Sequence, residues 1–532
     1  MSIISARDPL LESPRRLPLF AVAVIVILAC WGLAVPLTAV GDIRLPKIFC
    51  DSMVLQRQAE VHLSGVADPD EPLVLVITGP GADNREIKTV CNSQGEFSMK
   101  FAPPPVGGPY ELTVTGTKSK VVIRDVLVGD VWLCAGQSNM AWPIHKTPPT
   151  EVQATETPRP QLRLLTIPHT ASPQPLRDVN GNVAWASSTA ISAAEFSAVG
   201  WHFGSLLEQE LQVPIGVIHS SWGGTKAESW LSQESLSSEP SLQPLREAAN
   251  LLGDNGKPQD QLNSLYNGMI APLREFPIKG VVWYQGEANV GRAAQYGVLL
   301  PLLIQDWRQQ WQTPHLPFLL VQLAPFRYKN LPTQALPELW EVQLNTVKTL
   351  PRTGMVVITD LGNPEDVHPL QKQEVGKRVS AWALAEVYHS RQLFPFDPDP
   401  ADVPAASANG VGSKPTSEAA LNGELQPYSG PLFRAATVEG DRMVVEFYAG
   451  EGLRSRDGQP LREFLVAGED RVFHPAIATI ENDRVIVTSE HVSTPVAVRF
   501  SWTDTPSGNL VNAADLPASP FRSDDFPAPS HK

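Results

Sequence analysis

Cysteine is scarce in this chain, with four in 532 residues. So few exclude a disulfide scaffold for a molecule of this size. None belongs to a CxxC pair or a Cys/His cluster, which argues against a structural zinc site and leaves no metal expected. Cys134 sits in an apolar run and reads as a small buried hydrophobe. Cys50 and Cys91 are left as free thiols or a bridge. Positive charge is also in short supply: Lys plus Arg total 42 against 56 Asp plus Glu, a net charge of −14. An acidic surface repels phosphate backbones, so no nucleic-acid partner is expected. The 37 glycines and 50 prolines follow no collagen-like period, and there are no heptads and no internal repeat. No Asn-x-Ser/Thr acceptor occurs, so nothing requires a glycosylating pathway.

What is present supports a folded, exported protein. At 42% apolar and 18% charged residues the chain buries a sizeable core, and its length suits two to four domains. One long apolar run stands apart. Residues 17–40 carry no charge, follow Arg15 and Arg16, and end at Ala39-Val40-Gly41, the order of an export signal with small residues at its cleavage site. The run is also long enough to span a bilayer, so an uncleaved anchor is the alternative. Residues 1–41 are therefore expected to be a signal peptide or an N-terminal membrane anchor. The protein is expected to be periplasmic, extracellular or membrane-anchored.

From Ile43 to about Arg124, short alternating runs such as Leu73–Ile77 and Tyr110–Val114 are punctuated by Pro103-Pro104-Pro105 and Gly107-Gly108. This spacing predicts a β-sandwich module over 42–125. From Val126 the texture changes. Apolar strands at 126–133, 215–218, 280–283, 318–323 and 355–358 alternate with helix-like stretches such as 203–211 and 372–387. That alternation predicts a parallel sheet covered by helices over 126–395. Residues 396–429, rich in Pro, Ala, Ser and Gly, read as a linker or surface loop. β texture returns over 430–532, ending in a docked or frayed tail from Pro517.

Four predicted strands run into loops carrying reactive groups. Val131–Ala135 leads to Gly136-Gln137-Ser138-Asn139-Met140, placing Ser138 at a carboxyl strand end, where open α/β sheets bind ligands. A serine there is an N-cap, a turn residue or a nucleophile. The pentad lacks the GxSxG pattern, so the α/β-hydrolase fold gets no support. A serine nucleophile needs a base, an orienter and oxyanion donors. Paired glycines follow a second strand at Trp222-Gly223-Gly224-Thr225, and an amide follows a third in Tyr284-Gln285-Gly286-Glu287-Ala288-Asn289. A fourth loop, Asp360 to Pro369, carries Glu365, Asp366 and His368.

Together these four blocks resemble those of SGNH-type hydrolases, in particular the sialate O-acetylesterase family of carbohydrate acetylesterases. Met53–Arg57, Leu265–Pro272 and Leu516–Arg522 also resemble signatures of that family, so the likeness runs from about Ile43 to Asp525. It implies a three-layer α/β/α sandwich with an N-terminal β-sandwich and a C-terminal β-rich region. It also implies a cofactor-free esterase acting on an acetylated sugar, sialic acid or another glycan such as xylan or an algal polysaccharide; a catalytically silent glycan-binding protein is the rival. Carried over position by position, Ser138 is the nucleophile and His368 the general base. Ser138 N–H, Gly224 or Gly223 N–H and the Asn289 side chain make the oxyanion hole. The third triad member stays open between Asp366, Glu365 and neither. Gln137, Trp222, Tyr284, Gln285 and Glu287 are expected around the substrate, with Glu287 a loop support or a participant. His62, His169, His315, His474 and His491 are expected to be structural or exposed. His202 is expected to be packed, and His219 to support the site.

Overall fold

The computed structural model describes residues 42–252, 256–388 and 428–526. The expected signal or anchor segment 1–41 and residues 396–427 of the expected linker lie outside the described residues. Among those described, no helix is long and apolar enough to cross a membrane.

Six short strands come first: β1 (Val54–Gln56), β2 (Val61–Val66), β3 (Pro72–Thr78), β4 (Arg85–Val90), β5 (Glu96–Phe101) and β6 (Gly107–Thr115). Leu73, Leu75 and Ile77 of β3 are buried and alternate with partly exposed neighbours, as a strand with one more solvated face requires. Next, β7 (Lys120–Gly136) is 17 residues long. Its first half pairs antiparallel with β6, and its second half is buried throughout between parallel neighbours. The expected boundary at 125/126 therefore falls inside a strand that belongs to both sheets. Asp125 marks the change of role at φ 56°, with Arg163 bound to both of its carboxylate oxygens at 2.5 and 3.0 Å. The N-terminal strands and the α/β region also share one continuous hydrophobic core.

The parallel sheet adds β8 (Arg159–Thr166), β9 (Ala186–Ser188), β10 (Ile215–Ser221), β11 (Gly280–Tyr284), β12 (Phe318–Val321) and β13 (Thr353–Val356) in the order β13-β12-β11-β7-β10-β8-β9, with β9 antiparallel. Five helices matter for the site: α1 (Ser138–Ala141), α2 (Ala198–Leu211), α3 (Ala293–Gln310), α4 (Ala335–Thr349) and α5 (Lys372–Ala383). α2 packs on α5 and α3 on α4, giving helical layers over the sheet. Ser197 caps α2 by accepting from Gly200 N at 3.0 Å, and Gln212 ends it in a left-handed conformation. The fold is the three-layer α/β sandwich with β-rich flanks.

C-terminal residues form two four-stranded antiparallel sheets, one around Arg442–Tyr448 and one around Ala497–Phe500, over a core of their own that includes Val445, Phe464, Val485 and Phe500. The tail is docked rather than frayed as far as it is described: Phe521–Arg522 adds a short strand, and Arg522 forks onto Glu341 of α4 at 2.9 and 2.8 Å. Cys50, Cys91 and Cys134 are free thiols, and Cys134 is fully buried in β7.

Candidate active site

β7 has β10 on one side and β11 on the other, the point where the strand order reverses and ligands gather in open α/β sheets. In register, Gly136 stands between Ser221 of β10 and Tyr284 of β11. Three of the four reactive loops thus leave the sheet side by side. Gly136 has φ +143°, and a Cβ there would fall 2.1 Å from the Tyr284 carbonyl oxygen, so only glycine fits. The next residues turn at once into α1, which leaves Ser138 partly open to solvent.

The candidate base arrives from the loop between β13 and α5. His368 Nε2 lies 2.8 Å from Ser138 Oγ, across 230 residues of chain. Trp142 stacks on the imidazole at 4.8 Å between centroids. Asp366 Oδ1 accepts from His368 N at 2.9 Å and sits 3.5 Å from Nδ1. Glu365 instead pairs with Arg327 on the exposed side of the loop. Of the two carboxylates left open, Asp366 is the one against the imidazole. Burial, and then the Lys372 ammonium, hold the His368 pKa below its ordinary 6.5, with Asp366 acting in the opposite direction.

Gly223 lies against Ser138, since a Cβ on it would stand 3.3 Å from Ser138 Cβ. Gly224 follows at φ +74° beside open space. Both glycines are exposed, and among the described residues neither N–H has a hydrogen-bond partner. Asn289 is fully buried. Its Oδ1 accepts from Ala227 N at 3.0 Å and Gln285 Nε2 at 2.8 Å, and its Nδ2 donates to Glu228 Oε2 at 2.9 Å. Those three neighbours dictate which way the amide faces.

Several residues expected around the substrate lie beneath the site instead. Gln137 is buried, and its Oε1 accepts from Gly286 N and Ala288 N at 3.3 and 3.4 Å. Gln285 is fully buried, holding Asn289 and the Thr225 carbonyl while Tyr296 Oη donates to it. Tyr284 is fully buried in its strand. Gln137 and Gln285 are turned into the loop backbone, where a polar side chain satisfies groups the turns leave unpaired. Trp222 is half-buried and stacks face to face on His169 at 4.4 Å; His169 is exposed, with its Nε2 3.0 Å from the Ser221 carbonyl oxygen. Glu287 Oε1 accepts from Asn139 Nδ2 at 2.6 Å, while its other oxygen is shut from solvent with no partner. His219 is buried against Ser221 Oγ, and His202 is packed 3.3 Å from Glu151.

Sequence reasoning passed over Asn139, Lys372 and Glu228. One signal pointed to Lys372: a lysine in the first turn of a helix is electrostatically misplaced unless something else holds it. Among the described residues, no three of His, Cys, Asp and Glu are grouped to hold a metal ion.

The chain has matches among known proteins. A family model described as carbohydrate esterase, sialic acid-specific acetylesterase, covers residues 128–383. The sialate O-acetylesterase of Mus musculus is 30% identical over 421 residues, covering 69% of this chain and 78% of the mouse protein. The chain belongs to the sialate O-acetylesterase family. It is a carboxylic ester hydrolase. The Homo sapiens sialate O-acetylesterase is likewise 30% identical over 422 residues, covering 71% of this chain and 79% of the human protein. Among solved structures, a carbohydrate acetylesterase from Xanthomonas citri superimposes with a TM-score of 0.77 at 35% identity, over 91% of this chain and all of that one. That superposition takes in the β-rich flanks as well as the parallel sheet.

Proposed function

We propose that this member of the sialate O-acetylesterase family is an exported serine esterase that removes O-acetyl groups from sialic acid or a related acetylated sugar through an acetyl-Ser138 intermediate. The observation that carries the reading is the 2.8 Å approach of His368 Nε2 to Ser138 Oγ at the sheet's switch point. A base must be unprotonated to act, and the burial and nearby ammonium that lower the His368 pKa keep it so at neutral pH. His368 takes the Ser138 proton as Oγ attacks the acetyl carbonyl. The tetrahedral oxyanion forms beside Ser138 N–H, the unpartnered N–H groups of Gly223 and Gly224, and the remaining N–H of Asn289. As the ester C–O bond breaks, His368 returns the proton to the departing sugar oxygen. Water then attacks the acetyl-enzyme with His368 again as base, releasing acetate.

Sialic acid carries a carboxylate, and the acidic chain must meet it with local cations. Arg327, which is paired with Glu365, and Lys329 line a cavity of about 480 Å³ beside Pro364, and we infer that they meet it. Export rests on the basic flank and apolar run before Gly41. The test is turnover of an aryl acetate by wild type and by Ser138→Ala, followed by acetate release from acetylated sialic acids and acetylated plant and algal polysaccharides. The expected result is turnover by wild type, loss in the variant, and preference for the sialic acids. Full turnover by Ser138→Ala sinks the mechanism, and release from polysaccharides alone moves the substrate to neutral glycans.

A further inference from the structure

A buried ammonium stands behind the nucleophile. Lys372, the first residue of α5, is fully buried. Its Nζ donates to Asn139 Oδ1 at 2.5 Å and lies over the rings of Tyr284 and Trp142, 5.6 and 5.8 Å from their centroids. Burying a cation is costly unless it is paired; burial pulls the Lys372 pKa down to about 7 against the opposing pull of Glu287, Glu151 and Asp366, so its place calls for a reason. The reason lies in what Asn139 does with its other end. Its Nδ2 donates to Glu287 Oε1 at 2.6 Å and to the Val367 carbonyl at 2.9 Å. Reversing the carboxamide would set N–H against an ammonium and oxygen against a carboxylate and a carbonyl, so the three neighbours permit one orientation. Asn139 follows Ser138 in the chain, and Val367 precedes His368. The amide thus ties the nucleophile's turn to the loop that carries the base.

We propose that Lys372, Asn139 and Glu287 form a positioning unit for the esterase reaction, in which the ammonium fixes the Asn139 carboxamide and the amide holds the His368 loop within hydrogen-bonding reach of Ser138. This rests on the acetyl-Ser138 reading. The unit also sets the charge around the base. Lys372 is faced by Glu287 from the loop after β11, by Glu151, which accepts from Gln373 N and stands beside His202, and by Asp366 from the base's own loop. His368 lies between Asp366, which favours its protonation, and Lys372, which opposes it. The buried hydroxyls of Tyr284 and Tyr328, neither hydrogen-bonded, complete the surroundings of Glu287.

Two full-length variants test the unit. Lys372→Met is expected to lower kcat by about 10²-fold through misplacement of the base, with KM unchanged. It should also shift the acid limb of kcat/KM to higher pH, because His368 loses a repelling neighbour. An NMR titration of the His368 imidazole should show the same shift without any turnover. Asn139→Asp keeps the side chain's shape but turns an oxygen toward Glu287 and the Val367 carbonyl, and it should lower kcat comparably. A folded Lys372→Met with wild-type kcat and an unmoved His368 titration overturns the proposal. If Lys372→Met does not fold, Asn139→Asp decides, and wild-type kcat there overturns it. Ser138→Ala run in parallel separates the two readings. Full turnover in that variant removes the serine mechanism, whereas a dead Ser138→Ala beside an undisturbed Lys372→Met removes only the positioning unit.

Discussion

In the proposed mechanism the carboxylate beside the base is weakly placed. Asp366 is half exposed, and its oxygen stands 3.5 Å from His368 Nδ1, longer than a well-formed charge-assisted bond. An ion pair this open is worth about 0–1 kcal/mol, so Asp366→Ala should lower kcat/KM on an aryl acetate by only about tenfold or less. Glu365→Gln, on a side chain committed to Arg327, should change it by less than about twofold. A 10⁴-fold loss in Asp366→Ala, the size seen when a buried triad aspartate is replaced, would make Asp366 a full triad member and refute this ranking. The candidate side chains themselves were legible in the sequence, because Ser138, Asn289 and His368 each follow an apolar run. Which neighbours touch the site was not. A polar residue at a strand end points either to solvent or back into its own turn, and spacing is the same in both cases. Gln137 and Gln285 took the second course, and Asn139 and Lys372 met across 233 residues, a separation no local pattern reports.

At the scale of elements, β7, β10 and β11 bring the loops together, and β10 carries a titratable group inside the sheet. His219 is buried in β10, with its Nε2 at Ser221 Oγ, and burial followed by the His169 charge lowers its pKa to about 4. In the unfolded chain the ordinary value of about 6.5 applies. Above about pH 6.5 both states are neutral and the contribution to stability is fully present. As pH falls from 6.5 toward 4, the unfolded chain takes up a proton that the folded chain refuses, and stability drops by about 3 kcal/mol. Melting temperature should therefore decline over that window in wild type and decline less in His219→Gln; parallel curves for the two proteins would contradict the assignment. Periodicity located these strands well, since buried parallel strands read as continuous apolar runs. It did not locate the ends of β7. One strand serves two sheets there, changing from a half-solvated face to full burial at Asp125, and that change of texture looks like a domain boundary.

Over the whole molecule, that shared strand makes the N-terminal strands part of the catalytic body. The segment Met53–Arg57, recognisable as a motif but silent on its purpose, is the clamp that joins them. β1 pairs in parallel with Leu127–Gly129 of β7. Gln56 Oε1 accepts from Val131 N at 2.8 Å, and Gln56 Nε2 donates to Asp130 at 2.9 Å. Arg57 forks onto the fully buried Asp130 carboxylate at 3.0 and 2.7 Å. Asp130→Ala would strand Arg57 and Gln56 beside a buried void, a loss of about 3–5 kcal/mol. Asp130 lies six residues before Gly136, about 20 Å along the strand at 3.3 Å per residue, so protein that remains folded should keep its kcat. Because one core runs through the N-terminal strands and the parallel sheet, both should melt in a single transition that moves down in the variant. The C-terminal β region, with its own core, is free to melt separately. Denaturant melts followed by tryptophan fluorescence decide the point, since Trp132 is fully buried on β7 itself. A stability loss below about 1 kcal/mol, or a variant in which the N-terminal strands unfold while the esterase stays active, would show that the clamp is not what holds the two sheets together.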